Sequence, residues 1–286
     1  MSVNITVESQ LKIKRAAQLI DSADALLVTA GAGMGVDSGL PDFRGDQGFW
    51  RAYPALKGYS FVDMANPRWF TTDPHRAWGF YGHRLNLYRK TTPHRGFELL
   101  KKWSDNKVGG SFVFTSNVDG QFQMAGFDPD RIMECHGSIH HVQAFTDQGA
   151  ILSADHLNLE IDETQVRLIG ELPQHPKIHG PIRPNILMFG DMTWNDQRTM
   201  EQEARLSSWL ELAQSQRVVV IEMGAGTAIP SVRRLGENLV RNHPQATLIR
   251  INPREAEFDY LSEDRGVSIQ LGALEALSLI ESEIRI

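Results

Sequence analysis

The side chains best suited to chemistry in this 286-residue chain stand directly behind apolar runs. Ser116, Asn117 and Asp119 follow the apolar stretch Ser111–Thr115, and His136 follows the run 131–135. An amide, a carboxylate and an imidazole at strand ends suit polar ligands and proton transfer. Ligands of open α/β sheets collect beyond the carboxyl ends of the strands, and an imidazole of ordinary pKa near ~6.5 accepts a proton at neutral pH. The same residues have plainer uses. Asn, Asp and Gly are the commonest turn formers, so TSNVDG at 115–120 also reads as an Asx-type turn. A single His at a strand end also serves as a structural or surface residue.

The run 26–28 leads into a loop carrying Gly31, Gly33, Gly35 and Gly39. Glycine admits positive φ and lets the backbone N–H groups around Gly31, Ala32 and Gly33 approach a pyrophosphate at a helix start. Val36 stands where a third glycine would complete G-x-G-x-x-G, so an ordinary strand–helix turn remains the alternative. Directly behind the loop, Pro41-Asp42-Phe43-Arg44-Gly45 sets a rigid turn, an acid, an aromatic ring and a guanidinium. Gly224-Ala225-Gly226-Thr227 follows the apolar run 217–222, and Asn252 follows 246–251. Tyr81 and Arg84 are i,i+3 neighbours on one helical face, where an aromatic–cation surface pair is the plain reading.

Holding these groups together requires a sheet whose strands end on one side. Continuous apolar runs at Ser111–Thr115, 131–135, 185–189, 217–222 and 246–251 have the look of strands covered on both faces. Helical patterns at 11–20, 95–103, 195–214 and Ser231–Asn242 lie between or before them, which is a βαβ pattern. The segment 49–80 is dense in aromatics, as a satellite core or an apolar cleft would be, and 138–182 is polar and ends in a Pro/His/Gly-rich tract. The expectation is an α/β protein: a discontinuous Rossmann-like parallel-sheet domain at 1–137 and 183–286. A helical insertion at about 46–92 and a second, smaller inserted module at 138–182 interrupt it.

Composition narrows the partners. A 41% hydrophobic, 22% charged chain has an ordinary core, and a net charge of −6 argues against a direct nucleic-acid partner. No run approaches the 18 or so apolar residues of a membrane span, so no membrane partner is expected. The N-terminal stretch lacks the apolar core of a signal peptide, and the single Cys135 permits no internal disulfide; a cytoplasmic location is the expectation.

GAG…SGLPDFRG at 31–45 resembles the sirtuin family, the NAD-dependent protein deacylases and their ADP-ribosyltransferase relatives. Further matches run across most of the chain. The family pattern TQN-[IV]-D-x-L-H is met by Asn117 and Asp119, with Ser116, Gln121 and Phe122 departing from it. The resemblance implies that Asn117 positions the attacking group or a water near the ribose, and that Asp119 accepts from the nicotinamide carboxamide. His136-Gly137 is similar to the catalytic His-Gly, which implies His136 as general base. Gly224-Ala225-Gly226-Thr227 resembles the ribose and phosphate loop, with Ala228 in place of Ser, and Asn252 resembles the residue near the adenosine. Together with Asp42, Phe43, Arg44 and Ser116, these would bind NAD.

Met188-Phe189-Gly190-Asp191, behind Arg183-Pro184, resembles R-P-x-[IV]-V-x-F-G-E, which in the family pairs with the substrate peptide by strand addition. A core strand ending in a glycine turn explains the stretch equally well, and Asp191 and Thr193-Trp194 depart from the pattern. The surroundings of Tyr81 and Arg84, PHRAWGFYGHR, resemble the members that remove succinyl and malonyl groups, where a Tyr-x-x-Arg pair binds the acyl carboxylate. Typical members also hold structural zinc on two CxxC-like pairs; one cysteine excludes a Cys₄ site within this chain. His140, His141, His175 and His179 lack the tight local spacing of a replacement site, so no metal is expected.

The resemblance therefore implies an NAD-dependent deacylase acting on acyl-lysine in proteins, with an acidic acyl group as a specific option. The alternatives on the same fold are an NAD glycohydrolase or a protein ADP-ribosyltransferase, and a nucleotide sensor that keeps the pocket without the chemistry.

Overall fold

The computed structural model describes residues 6–42, 45–146, 149–258, 261–262 and 264–284. Phe43 and Arg44 lie outside the described residues. Helix α1 (Val7–Ser22) is capped by the Thr6 side chain and buries Ile13, Ala16, Ala17 and Ile20. Strand β1 (Ala25–Ala30) runs into a 3-10 turn over Ala32–Ser38. The helical insertion contains α2 (Gly45–Ala52), α3 (Phe61–Met64), α4 (Trp69–Thr72) and the long α5 (Pro74–Lys90). Next come α6 (Arg95–Asp105), β2 (Ser111–Thr115), α7 (Gln121–Met124) and β3 (Ile132–Glu134). The smaller module carries β4 (Gly137–Ala144), β5 (Leu152–Ser153), β6 (Ile161–Asp162), β7 (Arg167–Leu168) and β8 (Ile182–Ile186). The chain closes with α8 (Gln197–Leu212), β9 (Val218–Met223), α9 (Ser231–Asn242), β10 (Thr247–Ile251), β11 (Gly266–Ile269) and α10 (Ala273–Glu283).

A six-stranded parallel sheet in the order β11-β10-β9-β1-β2-β3 forms the core. Successive side chains of a strand point to opposite faces, and both faces here are covered. Leu26, Val28, Val113, Ile221 and Ile249 pack with residues of α1, α6 and α10. Leu27, Phe112, Val220 and Leu248 pack with residues of α8 and α9 on the other face. That double cover is why the strands read as unbroken apolar runs.

The register does the positioning. Ala30 pairs with both Thr115 and Met223, Met223 with Ile251, and Thr115 with Glu134. All these strands are parallel and end in step, so the residues that follow, Gly31, Ser116, Gly224, Asn252 and Cys135, form one row along the carboxyl edge.

One strand departs from the sequence expectation. The run 185–189 is not a strand of the parallel sheet. The strand is Ile182–Ile186, and it pairs antiparallel with β4 in a separate three-stranded sheet, β5-β4-β8. A strand buried on both faces looks alike in either sheet, because burial, not partner identity, sets its composition. Met188, Phe189 and Gly190 consequently lie beyond the strand.

The aromatic-rich insertion is a second core, not an open cleft. Phe49, Tyr53, Phe70, Trp78, Phe80 and Tyr81 pack with Ile139, Val142, Leu159, Val166, Leu168 and Ile182 of the smaller module. Helix α5 is the shared wall. A Cβ on Gly79 would lie 2.1 Å from the Val166 carbonyl oxygen, so the missing side chain is what lets the β6–β7 hairpin touch the helix backbone. Arg167 grips Asp73 with two hydrogen bonds of 2.9 and 3.0 Å. Arg89 donates to the carbonyls of Leu157 and Ala154 at 2.7 Å, and Asn86 to that of Leu159 at 2.8 Å. These contacts hold the module to the insertion. Among the described residues no three His, Cys, Asp or Glu side chains come together as a metal site requires. His140 hydrogen-bonds to the Asp119 carbonyl and His175 packs edge-on against His156. Nor is any described helix long and apolar enough to cross a membrane.

Candidate active site

The carboxyl edge begins with a backbone interlock. Gly31 donates its N–H to Met223 O at 2.9 Å, and Gly33 donates to Gly224 O at 3.1 Å. A Cβ on Gly31 would meet the Gly224 carbonyl oxygen at 2.8 Å, and one on Gly33 would meet the Gly224 Cα at 2.7 Å. The loops after β1 and β9 are thus in direct main-chain contact, which the missing side chains of Gly31 and Gly33 permit. Asn252 ties in the third loop: its Nδ2 donates to Ala225 O at 2.9 Å while its Oδ1 accepts from the N–H groups of Arg254 and Glu255. Thr227 donates its hydroxyl to Glu255 at 2.7 Å. Gly226 is open on the Cβ side apart from Glu255, 3.6 Å away. Glu255 is a residue that sequence reasoning missed, since nothing in its surroundings marks it.

Beside this cradle, Asn117 donates Nδ2–H to Gly31 O at 3.0 Å, and its own N–H is held by Thr115 Oγ1. The side chain is therefore aimed by the first glycine loop. Asp119 is buried, at 8% exposure, and its Oδ1 accepts the Gln121 N–H at 3.0 Å, the Asx turn foreseen as the plain reading. Burial pushes its carboxyl up to about 6, against the Gln121 hydrogen bond and the more distant Arg84 charge. His136 follows β3, half-buried, and burial pulls its pKa below the ordinary histidine value, opposed by the Ser116 backbone. The imidazole is neutral at neutral pH and able to accept a proton.

Helix α5 supplies the second part. Tyr81 is 1% exposed and its hydroxyl has no hydrogen-bond partner among the described residues. An unmade hydrogen bond of this kind costs about 1–3 kcal/mol, a cost a ligand would relieve. Arg84 is not the surface residue of the plain reading. It is 6% exposed, with its guanidinium 5.4–5.9 Å from the ring centroids of Phe61, Phe80, Tyr81 and Tyr88. Arg84 is thus a desolvated guanidinium held among aromatic rings, close to the Tyr81 hydroxyl.

The stretch after β8 is shaped by an ion pair the sequence hid. The side chains of Arg183 and Asp191 are fully buried and bonded to each other twice, once at 3.0 Å. Burial alone would raise the Asp191 pKa, but the Arg183 hydrogen bonds outweigh it and hold the carboxyl below its usual range. Asp191 also accepts the N–H groups of Met188 and Thr193, so it folds the 188–193 turn around Gly190, whose φ is +69°. Met188 is buried in the second core, Phe189 is half-buried against Phe61, and Gly190 is exposed.

Gly31, Ala32, Gly33, Ser116, Asn117, Asp119, His136, Gly224, Gly226, Thr227 and Asn252 therefore share one edge of the sheet. Tyr81, Arg84 and Met188 belong to the adjoining second core, with Val118 and Ile139 as its link to the sheet. Asp42 is half-buried just past the first loop. A cavity of about 370 Å³ lined by Lys101, Lys107 and Arg131 lies at the opposite, amino-terminal edge of β2 and β3.

The model of the Sir2 family matches residues 31–219. An NAD-dependent protein deacylase of Thermococcus kodakarensis is 29% identical over 218 residues, covering 76% of each chain. An NAD-dependent protein deacetylase of Caldivirga maquilingensis is 27% identical over 277 residues, covering 95% of this chain and 93% of its own. A solved Sir2 homolog–NAD complex has the same fold, with a TM-score of 0.68 at 21% identity over 94% of this chain and 93% of that one.

Proposed function

This chain belongs to the Sir2 family, and from that premise we propose that it is an NAD-consuming deacylase of acyl-lysine in proteins, with a preference for acidic acyl groups. The observation that carries the reading is the shared carboxyl edge, where two interlocked glycine loops adjoin an aimed amide, a desolvated carboxyl and a neutral imidazole. The cradle fits a dinucleotide. Gly31, Ala32, Gly33, Gly224, Gly226 and Thr227 would receive its phosphates and ribose, Asn252 would stand by the adenosine, and Asp42 and Ser116 would complete the lining. Bound NAD supplies a ribose carbon that releases nicotinamide and takes the acyl oxygen.

The chain's own groups do the rest. Asp119 accepts from the carboxamide N–H of nicotinamide, more strongly when its carboxyl is ionised. Asn117, held by Gly31, positions the attacking oxygen. His136 takes a proton from a ribose hydroxyl, which its depressed pKa allows across the neutral range. Met188, Phe189 and Gly190 border the peptide. Tyr81 and Arg84 receive the acyl carboxylate, the hydroxyl through its vacant hydrogen bond and the guanidinium through its charge.

The test incubates the purified protein with NAD and a panel of acetyl-, succinyl- and malonyl-lysine peptides, following nicotinamide and the acylated ADP-ribose. Peptide-dependent formation of both supports a deacylase. Rapid nicotinamide release without peptide would point to a glycohydrolase, and ADP-ribose on a protein acceptor to a transferase. Arg84→Met is expected to lower activity on succinyl-lysine far more than on acetyl-lysine; equal losses would remove the acidic-acyl preference.

A further inference from the structure

Strand β3 is the outermost strand of the parallel sheet among the described residues, and it ends at Glu134, shortly before His136. On its inner side β2 holds that end, since the Cys135 N–H donates to the Thr115 carbonyl at 2.9 Å. On its outer side the holder is α8. Glu134 donates its N–H to Gln202 Oε1 at 3.0 Å, and Thr199 Oγ1 donates to the Glu134 carbonyl at 3.2 Å. Arg198 donates to the Glu134 carboxylate as well. We infer that Gln202 and Thr199 are positioning residues, which fix the end of β3 from the helix side and with it the place of the His136 imidazole. This rests on the reading of His136 as the general base.

Successive residues of a parallel strand turn their backbone groups to opposite sides, so Glu134 faces away from β2 and Cys135 toward it. Outward groups at a sheet edge must find partners other than a strand. Thr199 and Gln202 are i,i+3 on α8 and therefore neighbours on one face. Together they offer a donor and an acceptor to the C=O and N–H of a single residue, as a neighbouring strand would. Glu134, Thr199 and Gln202 are all buried, so water competes little for these bonds.

The carbonyl of His136 in turn accepts the Leu187 N–H at 3.0 Å. The main chain of 134–136 is thus fixed by α8 at Glu134, by β2 at Cys135 and by the segment behind β8 at His136. Such fixing matters for a general base, which works only within hydrogen-bond reach of its proton. A displacement of about 1 Å costs about 10²-fold in rate.

Thr199→Val keeps the shape and removes the hydroxyl, Thr199→Ser keeps the hydroxyl, and Gln202→Met keeps the length and removes the acceptor. Nicotinamide release is followed at saturating NAD with acetyl-lysine and succinyl-lysine peptides, beside calorimetry with NAD and amide hydrogen exchange. The expected result is a kcat about tenfold lower in Thr199→Val and Gln202→Met, with NAD affinity within about twofold of wild type. Thr199→Ser should restore kcat, and the amides of 134–136 should lose protection in the first two variants while β1 and β9 keep theirs. Unchanged kcat in both Thr199→Val and Gln202→Met overturns the positioning role. Parallel losses of kcat and NAD affinity, with protection falling across the whole sheet, would make α8 a structural support only and overturn it as well. If His136→Ala itself keeps its turnover, the general-base reading has failed and takes the positioning role with it, an outcome that this variant alone tells apart.

Discussion

Gly33 and Gly224 are locked backbone to backbone, the N–H of the first donating to the carbonyl of the second at 3.1 Å. Gly224 has φ of +60°, and a Cβ there would fall 2.3 Å from the Met34 nitrogen. Neither a rotamer change nor a side-chain shift can relieve a clash with main chain. Gly224→Ala is therefore expected to cost about 2–4 kcal/mol, combining left-handed strain with overpacking. Urea unfolding measures the loss, and calorimetry should show weakened NAD binding in whatever protein remains folded.

The second core offers a matching experiment away from the cradle. Gly79→Ala would drive a methyl group into the Val166 carbonyl and force the β6–β7 hairpin off α5. The expected loss of stability is again about 2–4 kcal/mol. Hydrogen exchange should rise across 157–168 and leave β1 and β9 protected. Uniform loss of protection would mean that the two cores unfold as one.

Asp119 yields a pH prediction with a definite sign. Its carboxyl titrates at about 6 when folded and near the ordinary aspartate value when unfolded. Between these values the unfolded chain releases its proton first, so this residue lowers stability as pH rises from about 4 to about 6. The gap corresponds to roughly 3 kcal/mol. Asp119→Asn should consequently raise stability at pH 7.5 by about 1–3 kcal/mol and change it little at pH 4. If Asp119 holds the carboxamide in its ionised form, the wild-type KM for NAD rises as pH falls through about 6. The asparagine variant should carry a higher KM at pH 7.5 and lose that pH dependence.

His136→Ala separates binding from turnover. Removing a general base costs about 10²–10⁴-fold in rate, whereas the glycine cradle owes nothing to the imidazole. Calorimetry is expected to show NAD affinity within a few-fold of wild type, with nicotinamide release nearly abolished. Retained turnover would mean that another group accepts the proton.

Much of this architecture is visible from local pattern alone. The Ser111–Thr115 strand and the Ser231–Asn242 helix coincide with their expected bounds, and the strand ends at Ala30 and Ile251 fall where polar or glycine loops begin. Strand β11 and helix α10 escaped notice. The first is only four residues long, too short for periodicity to register, and the helix that follows starts directly behind Gly272, three residues after that strand.

The candidate residues could be picked out because turn geometry and helix spacing act over a few residues, and Gly31, Asn117 and His136 each follow an apolar run. Long-range pairing supplied the rest. Only the in-step register of five parallel strands brings residues 31, 116, 135, 224 and 252 into one row. Only antiparallel pairing with β4 moves Ile182–Ile186 out of the main sheet. Arg84 and Tyr81 look like a surface pair on their helix until the smaller module closes over the insertion and withdraws water from both. Hydrogen-bond partners and desolvation are properties of the assembled chain, since an apolar run carries no mark of which strand it will meet.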